Sequence, residues 1–305
     1  MKAALIIPTL NAGGQFIKLL EQIDKQTLSV KKFLVDSDST DGTDALAGRF
    51  GFEVIKVLRS EFHHGATRQF ALESLLKKFS ADVVIFLTQD VLLHDDETLA
   101  ELVKIFSEDE MVGVSYGRQL AHENATFEAK FLRAFNYPAC SQLRTFEDRK
   151  IFGMKTAFNS NSFAAYRVKY LQEVGGFPAR VILSEDMFVA AKMLMAGYKI
   201  FYNAQAQVYH SHNYTAAEEF HRYFDIGVFH SRESWIRKNF GSAEGTGKKF
   251  VIKKFWAILK DNPIKIFPAI FRDAAKFFGY RLGLSQKFLS RSLCEKFSMN
   301  KNYWR

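Results

Sequence analysis

The first ninety residues alternate between short apolar runs and amphipathic segments, and this alternation constrains the fold most strongly. Apolar runs of strand length predict strands at Ala3–Pro8, Lys32–Val35, Glu53–Val57 and Asp82–Thr88. Apolar residues at helical spacing predict helices between them, at Phe16–Gln26, Thr43–Phe50 and Ala66–Phe79. Strands that alternate with helices of crossover length indicate an α/β fold, with a mostly parallel sheet flanked by helices.

The periodicity weakens after Asp90, although both kinds of segment are still predicted. Helices are expected at Leu99–Phe106, Phe127–Phe135 and Ser184–Ala196, and strands at Asn159–Tyr166, Lys199–Tyr202 and Ala206–Tyr209. Gly241–Gly247 is predicted to be a linker. No run approaches the ~18 uncharged apolar residues of a spanning helix. The two cysteines are far apart and in no metal-ligand spacing, which favours a reducing compartment.

Polar side chains follow three of the predicted strands at the point where each strand ends. They are Pro8–Asn11, the acid-rich run Asp36–Gly42 and Thr88–Asp90. Ligands of parallel sheets bind outside the carboxyl ends of the strands, so these clusters are expected to share one crevice. The acid-rich run is compatible with a turn in which Thr40 or Asp41 caps the next helix. The alternative is nucleoside binding through its carboxylates and hydroxyls.

A possible phosphate site precedes the third predicted helix, in the stretch from Phe62 to Arg68. Gly65 allows close approach of another backbone at the helix start, and Arg68 lies one turn further on. A helix N-terminus with a nearby arginine suits phosphate. The alternative is an ordinary helix start with an exposed arginine.

Asp90 and the two histidines His210 and His212 are candidate metal ligands. One carboxylate is enough to bind Mg²⁺ or Mn²⁺ when nucleoside diphosphate and water supply the remaining ligands. A capping role for Asp90 is the alternative, but Asp95 and Asp96 lie nearer to the next helix. Histidines two positions apart on a strand point to the same face, where they contact the metal or the diphosphate, or else form polar surface.

Ser184-Glu185-Asp186 begins a predicted helix. Ser184 as the N-cap, followed by two acids that favour the helix dipole, accounts for the run structurally. The functional alternative is a general base, because an aspartate such as Asp186 can take a proton from an attacking hydroxyl.

The C-terminal part of the chain differs in charge from the rest. Residues 215–305 contain 18 Lys and Arg against 8 Asp and Glu, whereas residues 1–214 contain 24 against 25. We therefore expect a catalytic domain at 1–214 and a helical, basic, aromatic extension at 215–305. Its apolar helix faces beside lysines favour docking on an anionic membrane surface, and packing on the catalytic domain or in a homo-oligomer is the alternative. No nucleic-acid-binding motif accompanies the charge, so nucleic acid is not an expected partner.

Seven segments, in order, resemble family-2 glycosyltransferases of the GT-A fold, and within them bacterial rhamnosyltransferases of polysaccharide synthesis. They are IIPTLNAGG, VDSDSTDGT, FHHGATRQFAL, FLTQDVLL, SNSFAAYR, VGGFPARVILSEDMFVAAKMLMAGYKI and VYHSHNYT. The resemblance implies an inverting transferase that moves L-rhamnose from dTDP-rhamnose to a hydroxyl of a lipid-linked surface polysaccharide such as O-antigen. The alternatives are a UDP- or GDP-sugar donor and a sugar nucleotidyltransferase.

The resemblance also implies roles for individual residues. Asp186 is expected to be the catalytic base, and Asp90, with His210 and His212, to hold Mg²⁺ or Mn²⁺. The donor nucleotide sugar is expected to contact Pro8, Thr9, Asn11, Asp36, Ser37, His64, Gly65, Arg68, Thr88, Gln89 and Glu185. The family's usual motif here is Asp-X-Asp, and Thr88 stands where its first Asp would be. Such an enzyme is expected in the cytoplasm, peripherally bound to the cytoplasmic face of the inner membrane.

Overall fold

The computed structural model describes residues 1–241, 244–261 and 263–304, and the strands of this part of the chain form a single nine-stranded sheet. The strands are β1 (Ala3–Thr9), β2 (Val30–Asp36), β3 (Glu53–Lys56), β4 (Val83–Leu87), β5 (Leu92–Leu93), β6 (Val112–Leu120), β7 (Gln142–Arg144), β8 (Phe163–Arg167) and β9 (Lys199–Tyr209).

The sheet is parallel in its first half and mixed in its second. Its order is β3-β2-β1-β4-β8-β6-β9-β5, and β7 also pairs with β9. The strands β1 to β4 pair in parallel, as the alternating sequence predicts. The strand β8 is antiparallel to both β4 and β6, whereas β9 is parallel to β6. Both β5 and β7 pair antiparallel with β9.

Helices cover both faces of the sheet and form the C-terminal part of the chain. They are α1 (Phe16–Asp24), α2 (Thr43–Arg49), α3 (His64–Leu76), α4 (Thr98–Glu108), α5 (Phe127–Asn136), α6 (Arg149–Phe152), α7 (Val168–Glu173), α8 (Glu185–Met195), α9 (Ala216–Arg232), α10 (Ser234–Phe240), α11 (Glu244–Asp261), α12 (Ile266–Leu284) and α13 (Arg291–Phe297). Short 3₁₀ turns lie at Arg59–Glu61, Phe146–Asp148, Gly153–Ala157, Pro263–Lys265, Gln286–Phe288 and Lys301–Trp304.

The apolar runs of the central strands are continuous because the sheet is buried on both faces. Successive side chains of a strand point to opposite faces, so Ile6 and Phe86 enter one hydrophobic cluster and Leu5 and Ile85 the other. The first cluster also contains Phe224 of α9. The helical extension therefore shares a core with the sheet.

The strand β6 is missing from the sequence prediction, and the predicted linker is wrong from Glu244 onwards. The strand β6 was not predicted because its polar residues and two glycines obscure the strand pattern, yet it lies inside the sheet. A Cβ at Gly117 would lie 2.2 Å from the Phe163 ring, so a glycine is required there. In the predicted linker Gly241–Gly247, residues 242–243 lie outside the described residues, and the chain is helical from Glu244 onwards.

The side of helix α12 that carries most of its phenylalanines faces away from the rest of the protein. Phe267 is 81% exposed and Phe271 is 69% exposed. Lys276, on the opposite side, is buried and pairs with Glu219 of α9, its Nζ 3.1 Å from the carboxylate. The sequence places the lysine and the phenylalanines on opposite faces, and the structure shows that the charged face is the inner one.

Small residues explain why α12 packs against α9 through this face. A Cβ at Gly279 would lie 2.4 Å from the Phe220 carbonyl oxygen, and one at Gly283 would lie 2.1 Å from that of Phe224. The two helix backbones are therefore too close for larger side chains. Among the described residues, no helix combines the length and the apolar composition needed to cross a bilayer.

Candidate active site

A cavity of 610 Å³ opens at the carboxyl ends of β4, β6 and β9, beside the first turn of α8. The helices α9 and α12 and the residues after α13 form its far side, contributing Arg222, Arg272 and Asn300. Eight of the predicted site residues line it: His64, Arg68, Thr88, Asp90, Glu185, Asp186, His210 and His212. The fold therefore brings together residues from distant parts of the chain, as expected for strand ends of one sheet.

The other predicted donor-binding residues do not line this cavity; they are Pro8, Thr9, Asn11, Asp36, Ser37, Gly65 and Gln89. The Asp36 side chain, which is expected to contact the donor, is fully buried in this structure. Its Oδ1 accepts from the Thr9 hydroxyl (3.2 Å) and its Oδ2 from the Ser39 backbone N–H (3.0 Å). Asp36 therefore joins the loops that follow β1 and β2.

Gln89 has a structural role that the sequence did not reveal. Its Oε1 accepts from the Leu10 N–H (2.8 Å) and its Nε2 donates to the Leu10 carbonyl (3.1 Å). The amide thus continues the pairing of β1 and β4 beyond the last residues of the ladder. Asn11, with φ +46°, accepts from the Thr40 N–H through its Oδ1 (2.8 Å), which further joins the two loops.

Gly65 permits a close backbone approach, as predicted, but the approaching group belongs to the protein. A Cβ there would lie 2.0 Å from the Pro178 carbonyl oxygen. The segment before α8 therefore packs directly on the start of α3. His64, one residue earlier, lines the cavity and places its Nε2 3.3 Å from Oδ1 of Asn300.

Asp90, His210 and His212 form a three-residue cluster at the cavity wall. The Oδ2 of Asp90 lies 3.2 Å from Nε2 of His210 and 3.5 Å from Nε2 of His212. One ligand atom from each residue lies within 4.8 Å of the others, a spacing that suits three ligands of one ion. The turn after β4 supplies the carboxylate, and the end of β9 supplies both imidazoles.

Gln119 on β6 sets the orientation of the His210 ring. Arg133 donates to Oε1 of Gln119, which identifies that atom as the amide oxygen because an arginine cannot accept. The Nδ1 of His210 lies 2.9 Å from the same oxygen and must therefore be the donor. Neutral His210 then directs the lone pair of Nε2 at Asp90, and such second-shell hydrogen bonds are typical of metal-binding histidines.

The electrostatics of the cluster fit a cation held between its three groups. Burial lowers the pKa of His210, and burial together with His210 lowers the pKa of His212 to about 4. Burial would raise the pKa of Asp90, but at low pH protonated His210 can donate to its carboxylate, which holds the pKa well below its usual range. At neutral pH the site thus presents one carboxylate and two neutral imidazoles, all of them electron-pair donors.

The acid pair at the start of α8 is the second chemical centre. Glu185 is buried; its Oε1 lies 3.1 Å from NH1 of Arg68 and accepts from Nδ2 of Asn161 (2.9 Å). Burial opposes its ionisation, but Arg68 and then His64 hold its pKa below the ordinary value. Arg68, which is expected to contact phosphate, has its guanidinium buried against Glu185 in this structure.

Asp186 is in a different environment from its neighbour. Its Oδ2 accepts from the Asn161 N–H (3.1 Å) and its Oδ1 from the Met187 N–H (2.7 Å). Burial, and then the charge of Glu185, raise the pKa of Asp186 to about 7. The two carboxylates thus differ in pKa because only Glu185 contacts a cation, and Asp186 is left as the group that exchanges a proton near neutrality.

Ser184 does not cap α8 with its side chain, so that structural prediction is wrong. No cap hydrogen bond forms, and the residue adopts φ +61°, a left-handed conformation that is uncommon for residues other than glycine. Strain of this kind concentrates at functional sites. Here it turns the chain so that the two acids enter the cavity from the first turn of the helix.

Six residues that line the cavity were not predicted to belong to the site: Gln119, Arg133, Asn161, Arg222, Arg272 and Asn300. Their local patterns carry little signal, since an arginine on an amphipathic helix usually faces solvent. The run Asn159-Ser160-Asn161 before β8 is the exception, because amides at a strand start indicate side-chain hydrogen bonding.

Comparison with known proteins gives a consistent match over most of the chain. Residues 4–175 match the model of the family described as glycosyl transferase family 2. The O-antigen chain rhamnosyltransferase RfbN of Salmonella typhimurium is 46% identical over 306 residues, which span 100% of this chain and 96% of that protein. The O-antigen chain rhamnosyltransferase WbaN of Salmonella anatum is 44% identical over 302 residues, or 98% and 95% of the two chains.

A solved structure has a similar fold. The mannosyltransferase PcManGT from Pyrobaculum calidifontis, in complex with GDP-Man and Mn²⁺, superposes with a TM-score of 0.61. The match covers 94% of this chain and 88% of that one, at 18% sequence identity. At that identity the likeness concerns the arrangement of the sheet and helices.

Proposed function

We propose a reaction for this chain, which belongs to glycosyl transferase family 2. The chain has the GT-A fold and is a glycosyltransferase. The proposed reaction is transfer of L-rhamnose from dTDP-rhamnose, with inversion, to a hydroxyl of a lipid-linked O-antigen intermediate. Rhamnosyltransferase relatives at 46% and 44% identity support the sugar. The observation that carries the proposal is one cavity containing both the Asp90 cluster and Asp186.

Asp186 is the proposed general base. As the acceptor oxygen attacks C1 of the sugar, its proton passes to Asp186 and the bond from C1 to the diphosphate breaks. Attack opposite the leaving group inverts the anomeric centre. A pKa of about 7 suits this role, because about half of the carboxylate is ionised at neutral pH and the ionised form accepts a proton readily. The diphosphate leaves as an anion, so a second proton donor is unnecessary.

We propose that Asp90, His210 and His212 hold a divalent cation. Two imidazoles beside one carboxylate suit Mn²⁺ better than Mg²⁺, which strongly prefers oxygen ligands. When bound, the cation neutralises negative charge on the departing diphosphate. Gln119 supports this role by keeping the His210 lone pair directed at the site.

The nucleoside is proposed to lie at the ends of β1 and β2. A second cavity of 340 Å³ lies beside this edge, between Asp38, Leu58 and Phe70. Asp38 is exposed, whereas Asp36 is fully buried. Asp38, which lines this cavity and accepts from the Arg59 N–H through Oδ2, is therefore placed to accept from a base or ribose through its other oxygen, while Thr9, Asn11 and Asp36 shape the loops.

The proposed reaction is tested by nucleoside diphosphate release from a panel of donors. The protein is incubated with Mn²⁺, a membrane extract containing lipid-linked acceptors, and dTDP-rhamnose, a UDP-sugar or a GDP-sugar. Acceptor-dependent release of dTDP is expected, at least about tenfold faster than release of UDP or GDP. Pyrophosphate release from dTTP and a sugar phosphate would instead identify a nucleotidyltransferase.

The acid pair predicts that two variants shift the pH dependence of sugar transfer in opposite directions while Glu185 remains ionised. Sugar transfer should rise with pH through a midpoint near pH 7, because Asp186 must be ionised to act as the base. Glu185→Gln removes the negative neighbour and should move this rise to lower pH. Arg68→Gln removes a cation that lowers the pKa of Asp186 and should move the rise to higher pH. Profiles of kcat/KM against pH measure both shifts.

Both variants break the same buried ion pair, which costs about 3–5 kcal/mol of stability when one partner is removed. Loss of stability alone would therefore affect both profiles in the same way. A shift of the rise to higher pH in Glu185→Gln would contradict the assigned electrostatics.

We propose further that the extension docks on the cytoplasmic face of the inner membrane. We call the outward-facing side chains of α11, α12 and the turn between them the outer apolar face: Trp256, Ile264, Phe267, Ile270 and Phe271, which are 56–82% exposed. Apolar side chains on a basic extension match an anionic lipid surface. A homo-oligomer interface through this face is the competing explanation.

Introducing negative charge into the outer apolar face should weaken binding of the protein to vesicles. Phe267→Glu/Phe271→Glu is expected to lower partition onto phosphatidylglycerol-containing vesicles at least about tenfold, because two exposed phenylalanines no longer enter the lipid. Ile151→Glu, at a residue 73% exposed on α6, is the control and should bind as before. Unchanged flotation of the double variant would contradict docking through this face, and a change of sedimentation from dimer to monomer would favour the oligomer.

A further inference from the structure

A groove of 490 Å³ lies between α9, α11 and α12, and its lining is almost entirely apolar. Its walls include Tyr223 and Ile226 of α9, Phe250 and Val251 of α11, and Phe277 of α12. Its size is within the usual range of small-ligand pockets. Such a lining suits a hydrocarbon chain better than a sugar or a nucleotide.

Three charged residues line the groove; Arg281 is exposed to solvent, and the other two have ion-pair partners. Lys276 pairs with Glu219 (3.1 Å), and Asp273 pairs with Lys254. Lys276 and Lys254 are both buried, so these pairs form part of the packing between helices. An apolar ligand would therefore meet ion pairs that are already satisfied.

The groove and the catalytic cavity share a wall. Tyr223 and Ile226 line both of them. Next to this wall, Arg222 and Arg272 line the catalytic cavity. Arg272 donates to the Tyr214 carbonyl (2.7 Å), and the Arg222 guanidinium lies 5.7 Å from the centre of the Tyr214 ring. Among the described residues, no carboxylate forms a salt bridge with Arg222, which leaves its charge available to an anion.

The order of these surfaces matches the order of groups in a lipid-linked acceptor. Such a molecule has a sugar, then one or two phosphates, then a hydrocarbon chain. The protein has a catalytic cavity, then an uncompensated arginine, then an apolar groove. At its outer side the groove is bounded by Ile252 and Phe277, which are 58% and 60% exposed, so a long chain can continue out of it.

We propose that this groove binds the phosphate-proximal part of the hydrocarbon chain of the acceptor, with Arg222 facing the phosphate. This inference rests on the proposed function, because it assumes a lipid-linked acceptor. It assigns the extension a part in substrate binding: holding the chain fixes the distance between the acceptor sugar and Asp186. The outer apolar face, by contrast, would contact the membrane as a whole.

Farnesyl diphosphate is a suitable probe, because it carries both a phosphate group and an isoprenoid chain. Titration below its micelle concentration, without detergent, vesicles or divalent ions, is followed by calorimetry alongside inorganic diphosphate. The protein is expected to bind farnesyl diphosphate at least about tenfold more tightly than diphosphate, since the chain leaves water. Equal affinities for the two probes would overturn the proposal.

A matched pair of variants separates the groove from general surface hydrophobicity. Phe277 and Phe278 are neighbours on α12 and are 60% and 59% exposed, but only Phe277 lines the groove. Phe277→Glu should abolish the preference for farnesyl diphosphate, and Phe278→Glu should keep it within about twofold. Equal losses in the two variants would overturn the proposal. Because both side chains are exposed, both variants should fold, and their melting temperatures check this.

The phosphate end is tested by Arg222→Gln. This variant should bind farnesyl diphosphate about tenfold more weakly and bind farnesol as before, because a charge-assisted contact is lost and the chain contacts remain. Equal weakening towards farnesol would contradict the assigned phosphate contact. Release of dTDP from dTDP-rhamnose by the unsubstituted protein tests the proposed function separately. Its absence would overturn that function, whereas the titrations alone decide whether the groove binds a chain.

Discussion

Asp186→Asn is expected to lower kcat for sugar transfer about a thousandfold while changing donor affinity less than about twofold. Asparagine has the same shape, and its amide oxygen can still accept from the Asn161 or the Met187 N–H. The side chain can no longer take the acceptor proton. Acceptor-dependent dTDP release measures the turnover, and calorimetry with dTDP-rhamnose measures donor binding.

The control for this variant is Asp96→Asn, at an exposed carboxylate near the start of α4. It should match the unsubstituted protein in both measurements. Asp186→Asn with more than a tenth of normal turnover would exclude Asp186 as the base. A parallel loss of donor binding would indicate a role in shaping the cavity instead.

Asp90→Ala is expected to weaken Mn²⁺ binding at least about a hundredfold, because the carboxylate is the single anionic ligand of the three-residue cluster. Binding is measured by the loss of the free Mn²⁺ electron paramagnetic resonance signal on titration with protein, in the absence of donor. The same variant should raise the apparent dissociation constant for dTDP-rhamnose in the presence of Mn²⁺.

His94→Ala provides the comparison for Asp90→Ala. His94 lies close in sequence but contacts Asp95 at the surface and not the cluster. Its Mn²⁺ titration should be unchanged. If Asp90→Ala also leaves the titration unchanged, Asp90 is not a metal ligand, and its contacts with the two histidines stabilise only the folded chain.

Much of the fold and the main chemical centres could be predicted from local patterns. The first four strands and the helices between them follow from apolar periodicity, which depends on neighbouring residues alone. Asp90 and the two histidines were predicted because polar residues after strands must be solvated or bind something, and Asp186 because an acid at a helix start can act as a general base. The structure gathers all four in one cavity.

The contacts made by individual side chains could not be predicted in this way. The sequence suggests that Gln89 and Arg68 contact a ligand. In the structure Gln89 forms hydrogen bonds with the Leu10 backbone, and Arg68 forms an ion pair with Glu185. Either side chain has many rotamers, and the choice among them depends on partners far away in sequence. Gln119 could not be predicted as a site residue for the same reason, because its partner His210 is 91 positions away.

The sequence by itself determined that this chain has two opposed surfaces in its C-terminal helices, since lysines and phenylalanines alternate with helical spacing. Which surface faces inwards was decided only in the tertiary structure. Gly279 and Gly283 let α12 approach α9 closely, and Glu219 neutralises the buried Lys276. Close backbone contact and a compensated charge thus outweigh the usual preference for burying aromatic rings. The phenylalanines are left outside, where the groove and the outer apolar face are formed.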